Sequence, residues 1–428
     1  MDFVPPVELA ARPAGFHGAS RRGYGLDVCR ALAILMVVTA HLCESFFVAP
    51  SFFPMLYSLT GWIGVELFFS LSGFLIGRIL IDVFEEPRSG AGLMNFYARR
   101  WLRTLPAYFA VLAGLCLIYR QLDWRSFLFL QPLRPYSQSL MPVSWSLVME
   151  EYFYLLFPLL ILAARRLRSR SPVLAATLLL VCLWPGLRLA AILLRPPFDD
   201  FSFHAHALMR LDCCAYGVLA AWLRHRFPDG VRHFCARWHP AAVMATALVA
   251  VAGWAWLIQL MIDRQPLMIS LGMVHWGPYY FALQSTVLDV LAAWLVLYAS
   301  HVASAPARLL DRPVRAVSRL SYGLYLTNGS LLSLALAYTG LSRGSWWGCA
   351  VMAAAMMIAA FMLYLAVERP FLVWRDRFVP ASKRVDGRFP GAHRRDVLER
   401  AEPHGIAGLH GGAAEMRHHE DIGQLGEA

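Results

Sequence analysis

The stretch "YGLDVCRALAILMVVTAHLCESFF", residues 24–47, is apolar enough to cross a bilayer, yet it carries Asp27 and Arg30 near one end and His41 and Glu44 near the other. An ionisable side chain is costly in hydrocarbon, so inside a span it marks a functional site or a buried partner. Arg30 and His41 stand eleven residues apart. On an α-helix that spacing places them within about 20° on one face and about 16 Å apart along the axis. One face of this helix therefore carries a cation at its foot and an imidazole deep inside.

The rest of the chain has the same character. Of 428 residues, 58% are hydrophobic and 16% charged, and the mean hydropathy is +0.50. Such a composition excludes an ordinary soluble protein and indicates an all-α, polytopic membrane bundle. Apolar runs of about twenty residues fall near 25–48, 61–82, 104–119, 145–164, 173–194, 204–223, 241–261, 277–299, 320–339 and 347–367, which predicts about ten transmembrane helices. In the connections, sixteen arginines between Arg88 and Arg319 fall on one side, and six (Arg120, Arg125, Arg134, Arg195, Arg264, Arg343) on the other. The richer side is expected to be the cytoplasm and, with an even span count, to hold both termini. The net charge of +11 is then mostly this topological signal, and it gives no reason to expect a nucleic-acid partner.

Residues 1–23 lack the apolar core of a cleavable signal and are expected to form a cytoplasmic N-terminal segment, with the membrane domain over 24–374. Residues 375–428 are polar, Gly-rich and without apolar period, so a disordered cytoplasmic tail is expected there. The eight cysteines show no CxxC spacing, so neither a disulfide framework nor a metal site is indicated.

Polar residues recur inside the other spans. "GWIGVELFFSLSGFLIG", residues 61–77, holds Glu66, Ser70 and Ser72 among four glycines. Small residues let helices approach closely. The polar ones either serve that packing, or Glu66 and Ser72 share the interior that His41 faces. "NFYARRWLRTLPAYF", residues 95–109, crowds Arg99, Arg100 and Arg103 at the start of the third span. Arg100 and Arg103 are i, i+3 neighbours that can converge on one anion, and guanidinium forks match phosphate, with a helix N-terminus adding its own positive end. Arginines flanking a span are also ordinary topology anchors. "PVSWSLVMEEYFYLLFPLL", residues 142–160, contains adjacent Glu150 and Glu151. These diverge by about 100°, so one is expected at a site and the other at the solvated interface. In "HALMRLDCCAYGVLAAWL", residues 206–223, Arg210 and Asp212 are expected to neutralise one another or a neighbour's charge.

Taken in order, these segments together with "LSYGLYLTN" (320–328) and "VERPF" (367–371) resemble the membrane-bound acyltransferase family 3, integral membrane enzymes that O-acylate sugars. The resemblance covers residues 24–374. It departs at Glu66, where relatives usually carry Asp, and at Asn328, where they usually carry His. It implies transfer of an acyl group, most readily acetyl, from cytoplasmic acyl-CoA to a hydroxyl of a surface or exported glycan or glycolipid. The setting implied is a bacterial inner membrane, with no permanently bound cofactor and without the added soluble hydrolase domain of some relatives.

Within that scheme His41 is the expected general base, with Arg30 and Glu150 as catalytic partners. Arg99, Arg100 and Arg103 are expected at the CoA phosphates, while Asp27, Glu44, Glu66, Ser72, Arg210, Asp212, Asn328 and Glu368 serve substrate binding or support. Glu44 or Glu66 would orient His41. Two other classes use similar residues. A proton-coupled transporter predicts paired halves with matching broken helices, but "WPG" at 184–186 has no counterpart half a chain later. A non-catalytic scaffold would use the charges for packing alone.

Overall fold

The computed structural model describes residues 23–46, 52–84, 92–131, 139–194, 207–239, 277–302, 308–338 and 345–379, with a few positions between 242 and 253. The expected tail beyond residue 379, residues 1–22 of the N-terminal segment, and most of the predicted span at 241–261 lie outside the described residues.

Among the described residues there is no strand. In chain order the helices are α1 (Tyr24–Phe46), α2 (Phe52–Phe84), α3 (Gly92–Tyr119), the short α4 (Trp124–Phe127), α5 (Trp145–Arg166), α6 (Pro172–Leu194), α7 (Cys213–Arg226), α8 (Pro228–Ala236), α9 (Gly277–Ala299), α10 (Arg308–Tyr338), α11 (Trp346–Leu363) and α12 (Arg369–Phe378). A 3₁₀ turn at Pro142–Ser144 leads into α5, another at Ala207–Arg210 precedes α7, and a π turn at Tyr364–Glu368 joins α11 to α12.

Six segments among the described residues are long and apolar enough to cross a membrane: Tyr24–Phe46, Thr60–Phe84, Gly92–Tyr119, Pro142–Arg166, Pro172–Ala191 and Trp346–Phe378. Their exposed surfaces are apolar where a soluble protein's would be polar. On α5, Leu147, Tyr154, Phe157 and Ile161 are buried, while Leu155, Leu159 and Leu162 form an exposed stripe at helical spacing. One stripe packs in the bundle and the other is left for lipid.

Two predicted boundaries are corrected. Among the described residues of the span predicted at 204–223 the α-helix starts at Cys213, so Arg210 lies in the preceding 3₁₀ turn and Asp212 at the N-cap of α7. The 14 residues of α7 reach about 21 Å at 1.5 Å per residue, short of the ~30 Å of hydrocarbon. The third helix begins at Gly92, not near residue 104. Arg99, Arg100 and Arg103 are therefore two or more turns inside α3, and a helix N-terminus adds nothing to them.

The bundle is built around α2. A Cβ at Gly73 would lie 1.9 Å from the carbonyl oxygen of Cys214, and one at Gly217 would lie 2.0 Å from that of Ser70, so α2 and α7 meet backbone to backbone. A Cβ at Gly64 would stand 2.7 Å from the Ala33 carbonyl oxygen, which seats α1 on the same helix. Helix α1 in turn runs parallel to α10, because Asp27 meets Ser318 near the start of both, and His41 meets Asn328 further along both.

Candidate functional site

His41, on the face of α1 that α10 covers, donates from Nδ1 to Oδ1 of Asn328 at 2.5 Å. The direction of that bond follows from the other end of the amide. Asn328 is fully buried, and its Nδ2 donates to the carbonyl oxygens of Leu324 at 2.9 Å and Tyr325 at 2.8 Å, one turn back on α10. Both amide hydrogens are thus spent on carbonyls, which admit only a donor, and Oδ1 is left facing the imidazole. An amide oxygen can only accept, so His41 holds its proton on Nδ1, and in the neutral ring Nε2 carries the lone pair. A histidine at position 328 would make the same contact ambiguous as to which ring donates.

Glu44, expected to orient His41, is exposed and has a charge interaction with it, while Glu66 is taken up elsewhere. It lies in a buried ionic cluster where Arg210 Nη2 donates to Oε1 and Oε2 of Glu66 at 2.7 and 2.6 Å and stands 3.5 Å from Asp289 Oδ2. Beside it Arg188 Nη2 meets both oxygens of Asp212 at 2.5 Å, and Arg188 Nε donates to the Met209 carbonyl at 3.1 Å. Arg210 and Asp212 therefore direct these hydrogen bonds to neighbours, Glu66 and Arg188, while their charges also act on one another. All five side chains are buried, so the cluster holds α2, α6, α7 and α9 together through charges that lose their partners if any helix leaves. Arg188 and Asp289 are absent from the sequence reading, although a lone ionisable residue in each apolar run, as in "STVLDVLAAW" (285–294), is the same signal that marks Glu66.

Ser72 does not join Glu66 in its ionic cluster. Six residues separate it from Glu66, about 240° around the helix, and its hydroxyl donates to Glu150 Oε1 at 2.9 Å. Glu150 also accepts from Arg100 Nη2 at 2.9 Å and from the Tyr154 hydroxyl at 2.6 Å, and Arg100 stacks 4.0 Å over the Tyr154 ring. Glu151 is buried and accepts from Thr104 at 3.1 Å. The expectation that only one of the two acids faces inward is thus corrected. They straddle the line of contact with α3, and each reaches one of two residues, Arg100 and Thr104, a turn apart on it.

Arg99 donates to Asp376 at 2.9 Å and to the Val379 carbonyl at 2.5 Å, which ties α3 to the end of α12. Arg103 carries a charge interaction with Glu368. Glu368 closes the π turn, is buried, and keeps Oε1 without a hydrogen-bond partner among the described residues. At the foot of α1, Asp27 accepts from Ser318 at 2.7 Å and lies 3.4 Å from Arg315, while Arg30 is buried close by. The structure thus brings His41 and Asn328 together. It places Glu150, Ser72 and Arg100 in a second polar cluster, and Glu66, Arg210 and Asp212 in a third.

Sequence comparison bears on the chemistry of these clusters. A family model described as an acyltransferase domain matches residues 24–365. The chain is 24% identical to a putative peptidoglycan O-acetyltransferase, YrhL, of Bacillus subtilis, across 86% of this chain and 58% of that protein. It is also 24% identical to the peptidoglycan O-acetyltransferase OatA of Listeria monocytogenes, across 81% and 55% of the two chains, and to an O-acetyltransferase, OatA, of Staphylococcus aureus, across 73% and 51%. The chain thus spans a little over half the length of these relatives. No solved structure matches it. With residues 24–365 under one family model, and with every motif that suggested it except "VERPF" (367–371) lying inside that match, the chain belongs to acyltransferase family 3.

Proposed function

We propose that this protein is an O-acetyltransferase that moves an acetyl group from acyl-CoA to a hydroxyl of a surface or exported glycan, with His41 as general base. The observation that carries this reading is the buried Asn328 amide, which holds the imidazole as the Nδ1–H tautomer and leaves Nε2 to accept a proton. A sugar hydroxyl is a poor nucleophile near neutral pH and needs such a base within hydrogen-bond reach. In the proposed step, Nε2 takes the hydroxyl proton as the oxygen attacks the thioester carbonyl. The C–S bond then breaks, and the proton passes to the departing thiolate. The names of the Bacillus and Listeria relatives support a glycan acceptor.

The arginine-rich side is proposed to be the cytoplasm, with both termini there and the chain in a bacterial cytoplasmic membrane, so that donor and acceptor approach His41 from opposite faces. Purified protein in detergent, given radiolabelled acetyl-CoA and a glycan or muropeptide acceptor, should transfer label to alkali-labile ester. Export or uptake of solute in vesicles without any ester formation would overturn the reading.

A further inference from the structure

Holding the donor's phosphates is the part of this scheme that Arg99 and Arg100 suit least. Arg99 is matched by Asp376, and Arg100 by Glu150 with Glu151 close behind. A different set of cations gathers where α2, α7 and α9 end. The crossing of α2 and α7 is close there too: a Cβ at Gly77 would lie 3.0 Å from Val218 Cα and 3.2 Å from Ala221 Cβ. That contact brings the turn of α2 that carries Arg78 alongside the turn of α7 that carries Arg224, and the charge of Arg78 acts on Arg224. Arg224 donates to the hydroxyl of Ser300, which in turn donates to the Leu297 carbonyl at 2.6 Å. His301 Nδ1 donates to that carbonyl at 3.0 Å.

Among the described residues several cations act on one another in this corner. Arg78 and Arg224 are partly buried, with exposed Arg232 on α8 also acting on His301. An acid, Asp82, opposes Arg78 from one turn on. Burial, followed by the charge of Arg78, pushes the Arg224 guanidinium down to about 10. Burial, followed by Arg224 and Arg232, lowers the His301 imidazole below its ordinary range. Topology anchors normally reach into water, where like charges are screened. Here two guanidinium groups are drawn together against a rigid turn, an arrangement that a bound anion relieves. The same turn seats the foot of the catalytic helix: Gly25 N–H donates to Val302 O at 2.9 Å, and a Cβ at Gly25 would lie 2.0 Å from the Ala299 carbonyl oxygen.

We propose that Arg78 and Arg224, at the ends of α2 and α7 beside Ser300, form a phosphate-binding site that takes the nucleotide end of the thioester donor. The donor identity rests on the function proposed above, whereas the phosphate chemistry rests on the cluster itself. Paired guanidinium forks suit phosphate oxygens.

The test uses full-length protein in detergent and two donors, acetyl-CoA and acetyl-pantetheine, which lacks the phosphates. Arg78→Gln and Arg224→Gln should each raise KM for acetyl-CoA about tenfold or more, as for a lost charged hydrogen bond, and leave turnover of acetyl-pantetheine unchanged, which also shows that the variants are folded. Arg224→Lys should recover part of the affinity. Binding of adenosine 3′,5′-bisphosphate by calorimetry should weaken in the same variants. If KM for acetyl-CoA moves in Arg100→Gln and not in these two, the phosphates sit on α3 and the proposal is overturned. If wild-type protein uses neither donor yet binds the bisphosphate through Arg224, the site stands and the acyl-CoA reading falls. If anionic-lipid nanodiscs abolish bisphosphate binding while neutral ones do not, the site belongs to a lipid headgroup and the donor assignment is overturned.

Discussion

His41 and Asn328 are separated by 287 positions, yet their side chains meet at 2.5 Å between the parallel helices α1 and α10. The contact determines which imidazole nitrogen is basic, because the amide has no hydrogen left to give. His41→Ala removes the proposed general base. It should cut acetyl transfer by the 10²–10⁴-fold typical of a lost general base while the protein still inserts and purifies. A variant that keeps more than about a tenth of wild-type turnover would show that the base is another group.

Under the proposed function Asn328 acts through His41, so its loss should cost less. Asn328→Leu keeps the volume but leaves the Nδ1–H without its acceptor, and about tenfold is expected from one buried hydrogen bond. Asn328→Asp retains an acceptor and should retain more activity than the leucine variant. Initial rates of ester formation in the three variants check the order, and a leucine variant as inactive as His41→Ala would contradict it.

The Arg210 guanidinium bridges Glu66 and Asp289 in a fully buried setting. Arg210→Met leaves carboxylates buried without their cation and should destabilise by about 3–5 kcal/mol. The double variant Glu66→Gln/Arg210→Gln removes both charges of the main pair and should unfold at a higher temperature than Arg210→Met. Thermal unfolding followed by size-exclusion chromatography in detergent measures both.

Close approach of α2 and α7 depends on the absence of side chains at Gly73 and Gly217, where a Cβ would meet backbone oxygen at 1.9 and 2.0 Å. Gly73→Ala or Gly217→Ala must push the helices apart and should cost at least the 1–3 kcal/mol, roughly, of an overpacked core. Gly114 on α3 has nothing within 4 Å of its Cβ position, so Gly114→Ala should leave the melting temperature unchanged or slightly raised. Equal effects at all three glycines would mean that helix propensity, not the crossing, governs them.

Much of the molecule is legible along the chain, because apolar runs and helical period are local properties. Residues 24–47 alone imply a membrane helix with Arg30 and His41 on one face, and the ordered motifs point to the family that the wider comparison establishes. Even the need for partners is visible, since a carboxylate such as Glu66 cannot stay alone in hydrocarbon. Which partner it finds is not a local property. Glu66 takes Arg210 from 144 positions away, Asp212 takes Arg188 in preference to its near neighbour, and Glu150 and Glu151 both turn to α3. Those choices follow from which helices lie side by side, and that is decided by backbone approach at a few glycines and by the packing of whole faces. Tertiary structure alone therefore determined that an asparagine, not a carboxylate, holds the histidine. The bond requires α1 and α10 to run parallel at one depth, and no spacing within either segment encodes that alignment.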